Sequence, residues 1–188
     1  MMFDDLMKMR LGVLERVRKE LAGPFEAMSD RVALSLREGG KIYFFGNGGS
    51  AADAQHIATE LIDRLTMKRD AIPALALTTN TSLITAVAND HGFDMIFARQ
   101  VEAYARPGDV LVGISTSGGS RNVIEAFRRG REIGTIHVAF TGEKGMREPG
   151  LVDYPLAVPS SDTQLIQEMH IALGHLLCLV IEERLFRT

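Results

Sequence analysis

The stretch FFGNGGSAADAQHIATE, residues 44–60, decides the fold. Apolar Phe44-Phe45 runs into Gly46-Asn47-Gly48-Gly49-Ser50, and the segment behind it carries His56 and Glu60 one helical turn apart. A buried strand that ends in glycines and turns directly into a helix is the opening of a strand–helix–strand unit. Working back, the strand reads as KIYFFGN; working forward, the helix runs over 49–65. Further strands follow as PALALTT, DVLVGISTS, TIHVAFTG and YPLAVPS. Each is nearly continuous in apolar residues, as strands covered on both faces are. Helical stretches over 81–105, 119–132 and 161–186 fill the intervals.

Ahead of the first strand, Phe3, Leu6, Met7, Leu14, Val17 and Leu21 recur at helical spacing until Gly23-Pro24 interrupts them. Phe25, Met28, Val32 and Leu36 then resume the pattern as far as Gly39-Gly40. The expected architecture is therefore α/β: a three-layer, doubly wound sheet of five parallel strands, preceded by two helices, in one domain over 1–188.

The rest of the composition bounds the function. Of the 188 residues 46% are hydrophobic and 24% charged, which suits one globular domain with a sizeable core. A net charge of −3 with dispersed Lys and Arg predicts no nucleic-acid partner. The opening MMFDDLMKMRLG lacks the pattern of a signal peptide, and IALGHLLCLVIEE is too short to span a bilayer, so no membrane association is expected. A lone cysteine, Cys178, reads as a small buried hydrophobe and suits a reducing cytoplasm.

In doubly wound sheets ligands bind at the carboxyl ends of the strands. Three such ends are small and hydroxyl-rich here: GNGGS (46–50), TTNTS (78–82) and STSGGS (115–120). Gly46 to Ala51 fits a dinucleotide fingerprint, but the next strand ends in Thr78-Thr79-Asn80 where that site needs an acidic residue. A P-loop is excluded because no Gly-Lys-Ser/Thr follows the glycines. In STSGGSRN, hydroxyls surround a helix start, which makes a phosphate cradle without a lysine. Ser117 alone would pass as a helix cap, but four hydroxyls in six residues exceed that need.

GNGGSAADAQH, AVANDHGF, GDVLVGISTSGGSRNV and IQEMH, in this order, resemble the SIS (sugar isomerase) family, and within it the phosphoheptose isomerases. The resemblance covers nearly the whole chain. It implies conversion of sedoheptulose 7-phosphate to D-glycero-D-manno-heptose 7-phosphate, a step toward the heptoses of bacterial surface polysaccharides such as lipopolysaccharide. It further implies a cytoplasmic homotetramer with one Zn2+ per subunit and sites built between subunits. By the same resemblance, Asn47, Gly48, Gly49, Asn89 and Asp90 line the substrate, and Ser115, Thr116, Ser117 and Ser120 hold its phosphate. His56, Glu60, Gln167 and His175 are the implied metal ligands. Glu60 and His175 double as the acid/base pair, and Glu60 and Gln167 also touch substrate.

Spacing bears on these roles separately. His56 and Glu60, four apart, share a helical face and can hold one cation, although such a pair is also an ordinary surface neighbour pair. Gln167 and His175, eight apart, stand about 12 Å apart along a helix, so they meet one ion only by leaning together or across subunits. His170 points about 140° away from His175 and is left out of the site; His91 and His137 read as structural. The chain departs from the family at Gln164, where some members carry an acid, and at Leu165, where an arginine is frequent. Asp162 and Thr163 are candidates for the sugar contacts this removes. A non-catalytic relative that associates with the bacterial replication initiator shares the opening loop and IQEMH but lacks counterparts of Glu60 and His175. A sugar-phosphate sensor fused to a DNA-binding module is excluded, because the α/β domain fills the length.

Overall fold

The computed structural model describes residues 2–187; Met1 and Thr188 of the expected domain lie outside the described residues. Two helices lead, α1 (Phe3–Glu20) and α2 (Ala22–Arg37). They meet at Leu21, which keeps right-handed helical dihedrals, so the break falls just ahead of the expected Gly23-Pro24. Pro24 instead sits in the first turn of α2, where a missing N–H has no intrahelical partner to lose.

The strands are β1 (Ile42–Gly46), β2 (Ala74–Ala76), β3 (Val110–Ser115), β4 (Ile136–Thr141) and β5 (Tyr154–Ala157). All pair in parallel, in the order β2-β1-β3-β4-β5. The connecting helices are α3 (Gly49–Ile62), α4 (Thr81–His91), α5 (Ala98–Tyr104) and α6 (Arg121–Ile133), and α7 (Thr163–Phe186) follows β5. The stretch 81–105, expected as one helix, is two. Gly92 at φ 90° ends α4, and a 3-10 turn at Phe93–Met95 leads into α5.

Alternation along the strands sorts two cores. Ile42 and Phe44 of β1, with Val110, Val112 and Ile114 of β3, face α2, α3 and α7. Tyr43 and Phe45 face α4, α5 and α6, where Phe45 packs against Phe97 and Phe127 at centroid distances of 5.4 and 5.5 Å. Sheet order reverses between β1 and β3, so the carboxyl ends of these neighbours flank the crevice in which doubly wound folds bind ligands. α7 has the length and apolarity of a membrane span, but half of that window is buried. Ile166, Met169, Leu173, Leu177, Cys178 and Ile181 pack into the first core, so it is a core helix apolar on most sides. Cys178 is fully buried, and burial pushes its thiol up to about 12, which makes it inert.

Candidate active site

α3 and α7 lie side by side and run in the same direction. Contacts between α3 and α7 join residues 117 to 121 positions apart in sequence, a nearly constant offset that only parallel helices give. At the start of α3 a Cβ on Gly49 would stand 2.5 Å from Nε2 of Gln167, so glycine leaves that amide its place above the loop. Two turns on, His56 meets His175. Between them Gly174 takes Ile57 against its backbone: an added Cβ would lie 2.6 Å from Ile57 Cγ1.

The imidazoles of His56 and His175 face each other with Nε2 atoms 2.8 Å apart, and Glu60 Oε1 is 3.5 Å from His56 Nε2. One ligand atom from each of the three lies within 4.8 Å of the others. The Glu60 side chain is 18% exposed and that of His56 48%, so the cluster opens to solvent on the histidine side. At 2.8 Å one ring must donate a proton and the other accept it, unless a cation takes the place of that proton. Two imidazoles and a carboxylate converging from two rigid helices are a zinc-type donor set with room for further ligands. Nitrogens bound to one tetrahedral ion stand about 3.3 Å apart, so the rings need part by only about half an ångström. The residues fit the ion.

Gln167, the fourth implied ligand, lies at Gly49 rather than in this cluster, since eight residues of helix carry it about 12 Å away along α7. Between the two ends, Asp53 shares the stripe Gly49, Asp53, His56, Glu60 that faces α7. Burial raises its carboxyl above the usual range, His56 opposes this, and its Oδ2 is buried without a partner among the described residues. The sequence reading did not single it out, although its i−3 spacing from His56 is a visible signal.

The second part of the site is the hydroxyl loop after β3. Ser115 Oγ and Ser120 Oγ are 3.0 Å apart, and the Gly119 N–H donates to Ser117 Oγ at 3.2 Å. Ser120, not Ser117, is the cap position of α6, and its hydroxyl makes no capping bond. In the first turn the Val123 N–H donates to the Ser120 carbonyl at 3.1 Å, and those of Arg121 and Asn122 remain available to an anion. Gly118, at φ 63°, abuts the Gly145 carbonyl so closely that a side chain would collide with it. Arg147 N–H to Gly118 O (2.9 Å) and Gly142 N–H to Thr116 O (3.1 Å) stitch the loop after β4 onto the cradle. That loop brings Lys144 to two adjoining pockets of 220 and 520 Å3, both also lined by Ser117. No motif marked Lys144 or Arg147 in advance.

Asn47 ties the two parts together. Its amide exchanges bonds of 2.9 and 2.8 Å with the amide of Asn122 on α6, a reciprocal pair across the crevice between β1 and β3. Asn89 and Asp90 stand exposed in the last turn of α4 and bond to each other at 2.8 Å. Asp162 caps α7 by accepting from Gln164 N–H at 3.0 Å and takes the Gln164 side chain at 3.3 Å, so both its oxygens are engaged. Leu165 is buried in the core. His170 bonds Thr141 O at 3.0 Å, with burial pushing its pKa down to about 4. His137 sits between Leu151 O at 2.6 Å and Thr135 Oγ1 at 2.8 Å, its pKa also lowered by burial. Both stand outside the site.

Comparison with known proteins decides among the sugar-phosphate folds. The SIS domain family matches residues 8–142. The phosphoheptose isomerase of Geobacter sulfurreducens is 50% identical over 188 residues, covering 98% of this chain and all of that one. The chain belongs to the phosphoheptose isomerase family of SIS domains. Solved phosphoheptose isomerases agree. That of Neisseria gonorrhoeae superposes with a TM-score of 0.89 at 41% identity, and that of Francisella tularensis with 0.93 at 32%, each covering 96% of both chains. The five-stranded parallel sheet and the leading helices are therefore those of a phosphoheptose isomerase.

Proposed function

We propose that this aldose–ketose isomerase interconverts sedoheptulose 7-phosphate and D-glycero-D-manno-heptose 7-phosphate, supplying heptose for a bacterial surface polysaccharide. The observation that carries the reading is the convergence of His56, Glu60 and His175 from two helices beside the glycine loop. Moving a carbonyl from C2 to C1 needs a base over those carbons and a group that exchanges protons with their oxygens. Glu60 takes a proton from C1 and returns it to C2. His175 gives a proton to O2 and takes one from O1, so the enediolate collapses to the aldose with no net change in the enzyme. The hydroxyls of Ser115, Thr116, Ser117 and Ser120, with the start of α6, hold the phosphate and so fix where C1 and C2 lie.

His56, Glu60 and His175 would hold one Zn2+ per subunit, with Gln167 completing the set only if it swings down α7. Bound there, the ion supplies positive charge for the oxygens of the developing enediolate. Exposed Phe3, Met7, Leu11 and Leu14 on α1 support a homotetramer built on the leading helices, with Asn89 and Asp90 serving a site shared between subunits. A sugar-phosphate substrate and a single, buried thiol suit the cytoplasm. The test is incubation with sedoheptulose 7-phosphate, before and after chelation and zinc restoration, with the product identified by NMR. Binding of the sugar phosphate with no aldose formed in the zinc-restored sample would overturn the reading.

A further inference from the structure

Beyond the cluster, a second contact joins the α3 segment to α7, and the proposed chemistry does not use it. Arg69 and Glu182 form an ion pair, Nε to Oε1 3.1 Å, with each side chain only 1% exposed. The guanidinium makes further bonds to backbone carbonyls. Nη2 donates to the Glu60 carbonyl at 2.8 Å, and Nη1 donates to the carbonyls of Leu61 at 2.8 Å and Asp70 at 3.0 Å. Carbonyls in the last turn of a helix have no partner within it, and a cation there also meets the negative end of the helix dipole. Glu182 accepts from the N–H groups of Leu65 at 3.0 Å and Thr66 at 3.1 Å, and from the Thr66 hydroxyl at 2.8 Å. The chain leaving α3 is thus wrapped around a carboxylate of α7.

The placement matters more than the number of bonds. Arg69 grips the backbone of Glu60 itself, and Glu182 lies two turns beyond His175 on nearly the same face of α7. Apolar packing alone tolerates sliding of one helix along another; a fork that bonds both helices does not. Sliding is the coordinate that decides whether His56 and Glu60 meet His175, and a slip of one turn, about 5.4 Å, would separate them. A buried ion pair is a poor device for stability alone, since apolar residues of similar volume serve as well.

We propose that Arg69 and Glu182 are positioning residues for the His56–Glu60–His175 cluster, setting the register of α3 against α7 on which divalent-cation affinity and turnover depend. The inference rests on the reading of that cluster as a metal and acid/base site. The test compares wild type with Glu182→Gln and with the double variant Arg69→Met/Glu182→Leu, which leaves no buried charge unpaired. Co2+ is titrated into each metal-free protein and followed by its visible spectrum, and melting temperature, kcat and KM are measured alongside. Loss of an outer positioning bond weakens metal binding about 10–100-fold. That loss is expected in both variants, with kcat lowered similarly and KM within about threefold, since the phosphate cradle is untouched. The double variant is expected to fold and still bind Co2+ weakly, but to melt below wild type, because the carbonyls and N–H groups that the pair served lose their partners.

A folded variant with wild-type cobalt affinity overturns the inference. So does a double variant that regains stability and affinity together, or one that fails to fold, because the pair then serves stability alone. If Glu182→Gln does not fold, the double variant decides. Wild type that binds Co2+ but forms no aldose would sink the isomerase reading and leave this one standing; wild type that binds none would sink this one.

Discussion

Gly174→Ala probes the helix contact from the side opposite the ion pair. The added methyl would lie 2.6 Å from Ile57 Cγ1, about 0.8 Å inside ordinary van der Waals contact at 3.4 Å. Ile57 is fully buried, so it has no solvent to swing into, and the overlap is relieved by pushing α3 and α7 apart. Overpacking of this kind costs about 1–3 kcal/mol. At about 2–4 °C per kcal/mol for a chain of this size, the melting temperature should fall by about 2–12 °C. Activity should suffer more than stability, because His175 is the next residue and moves with the backbone. A displacement near 1 Å at reacting groups is worth about 100-fold in rate, so kcat is expected to fall by about 10–100-fold. Adding Ile57→Ala leaves only Cβ, at 3.8 Å from the new methyl, and should recover most of the kcat while the cavity keeps the protein less stable. Thermal melts and a steady-state product assay on the three proteins check this. Wild-type kcat in Gly174→Ala, or no recovery in the double variant, would refute the idea that helix separation sets the rate.

Glu60→Gln is expected to keep the fold and lower kcat by about 10²–10⁴-fold, read in the same assay; more than about a tenth of wild-type kcat would exclude Glu60 as the base. Ser117→Ala with Ser120→Ala should raise KM while metal content, measured by elemental analysis, stays near wild type. Removing residues 1–22 should dissociate the proposed homotetramer, visible as a fall in mass by light scattering. His170 gives a pH dependence: its folded pKa of about 4 lies below the ordinary 6.5, so the unfolded chain takes up a proton that the native state refuses. That contribution is full above the ordinary value and is lost as pH falls through the folded one. Urea melts should therefore show about 3 kcal/mol disappearing over this window, and His170→Gln should flatten it.

Much of this was legible in the sequence because buried parallel strands and glycine-terminated strand ends have strong local signatures. The five strands fall where their apolar runs do, and the hydroxyl loop after β3 needed no tertiary information. The split at Gly92 was missed because Phe93, Met95 and Ile96 resume the apolar pattern just past the glycine, while the deciding dihedral is a backbone property. The pairing of His175 with His56 had no local signal, since it depends on two helices lying parallel in one register. Gln167, adjacent to the cluster in motif terms, lies beside Gly49 for the same reason. Lys144 and Arg147 reach the hydroxyl loop through loop closure, and Asn122 reaches Asn47 through a cross-crevice amide pair, which no spacing rule encodes.

The role of α7 in the first core bears on how the protein is made. All five strands are synthesised before the helix that covers Ile42, Phe44 and Val112, and its contacts with α3 span well over a hundred residues of chain. Contacts of such separation form slowly, and until they form an apolar sheet face remains open to other chains. At about 5–20 residues per second, that face is exposed on the ribosome for several seconds. Chaperone dependence and aggregation in a cell-free translation should therefore concentrate in nascent chains stalled between β5 and the end of α7. The same docking event that buries the sheet also brings His175 to His56, so under the proposed mechanism a chain gains its chemistry only when it stops being sticky.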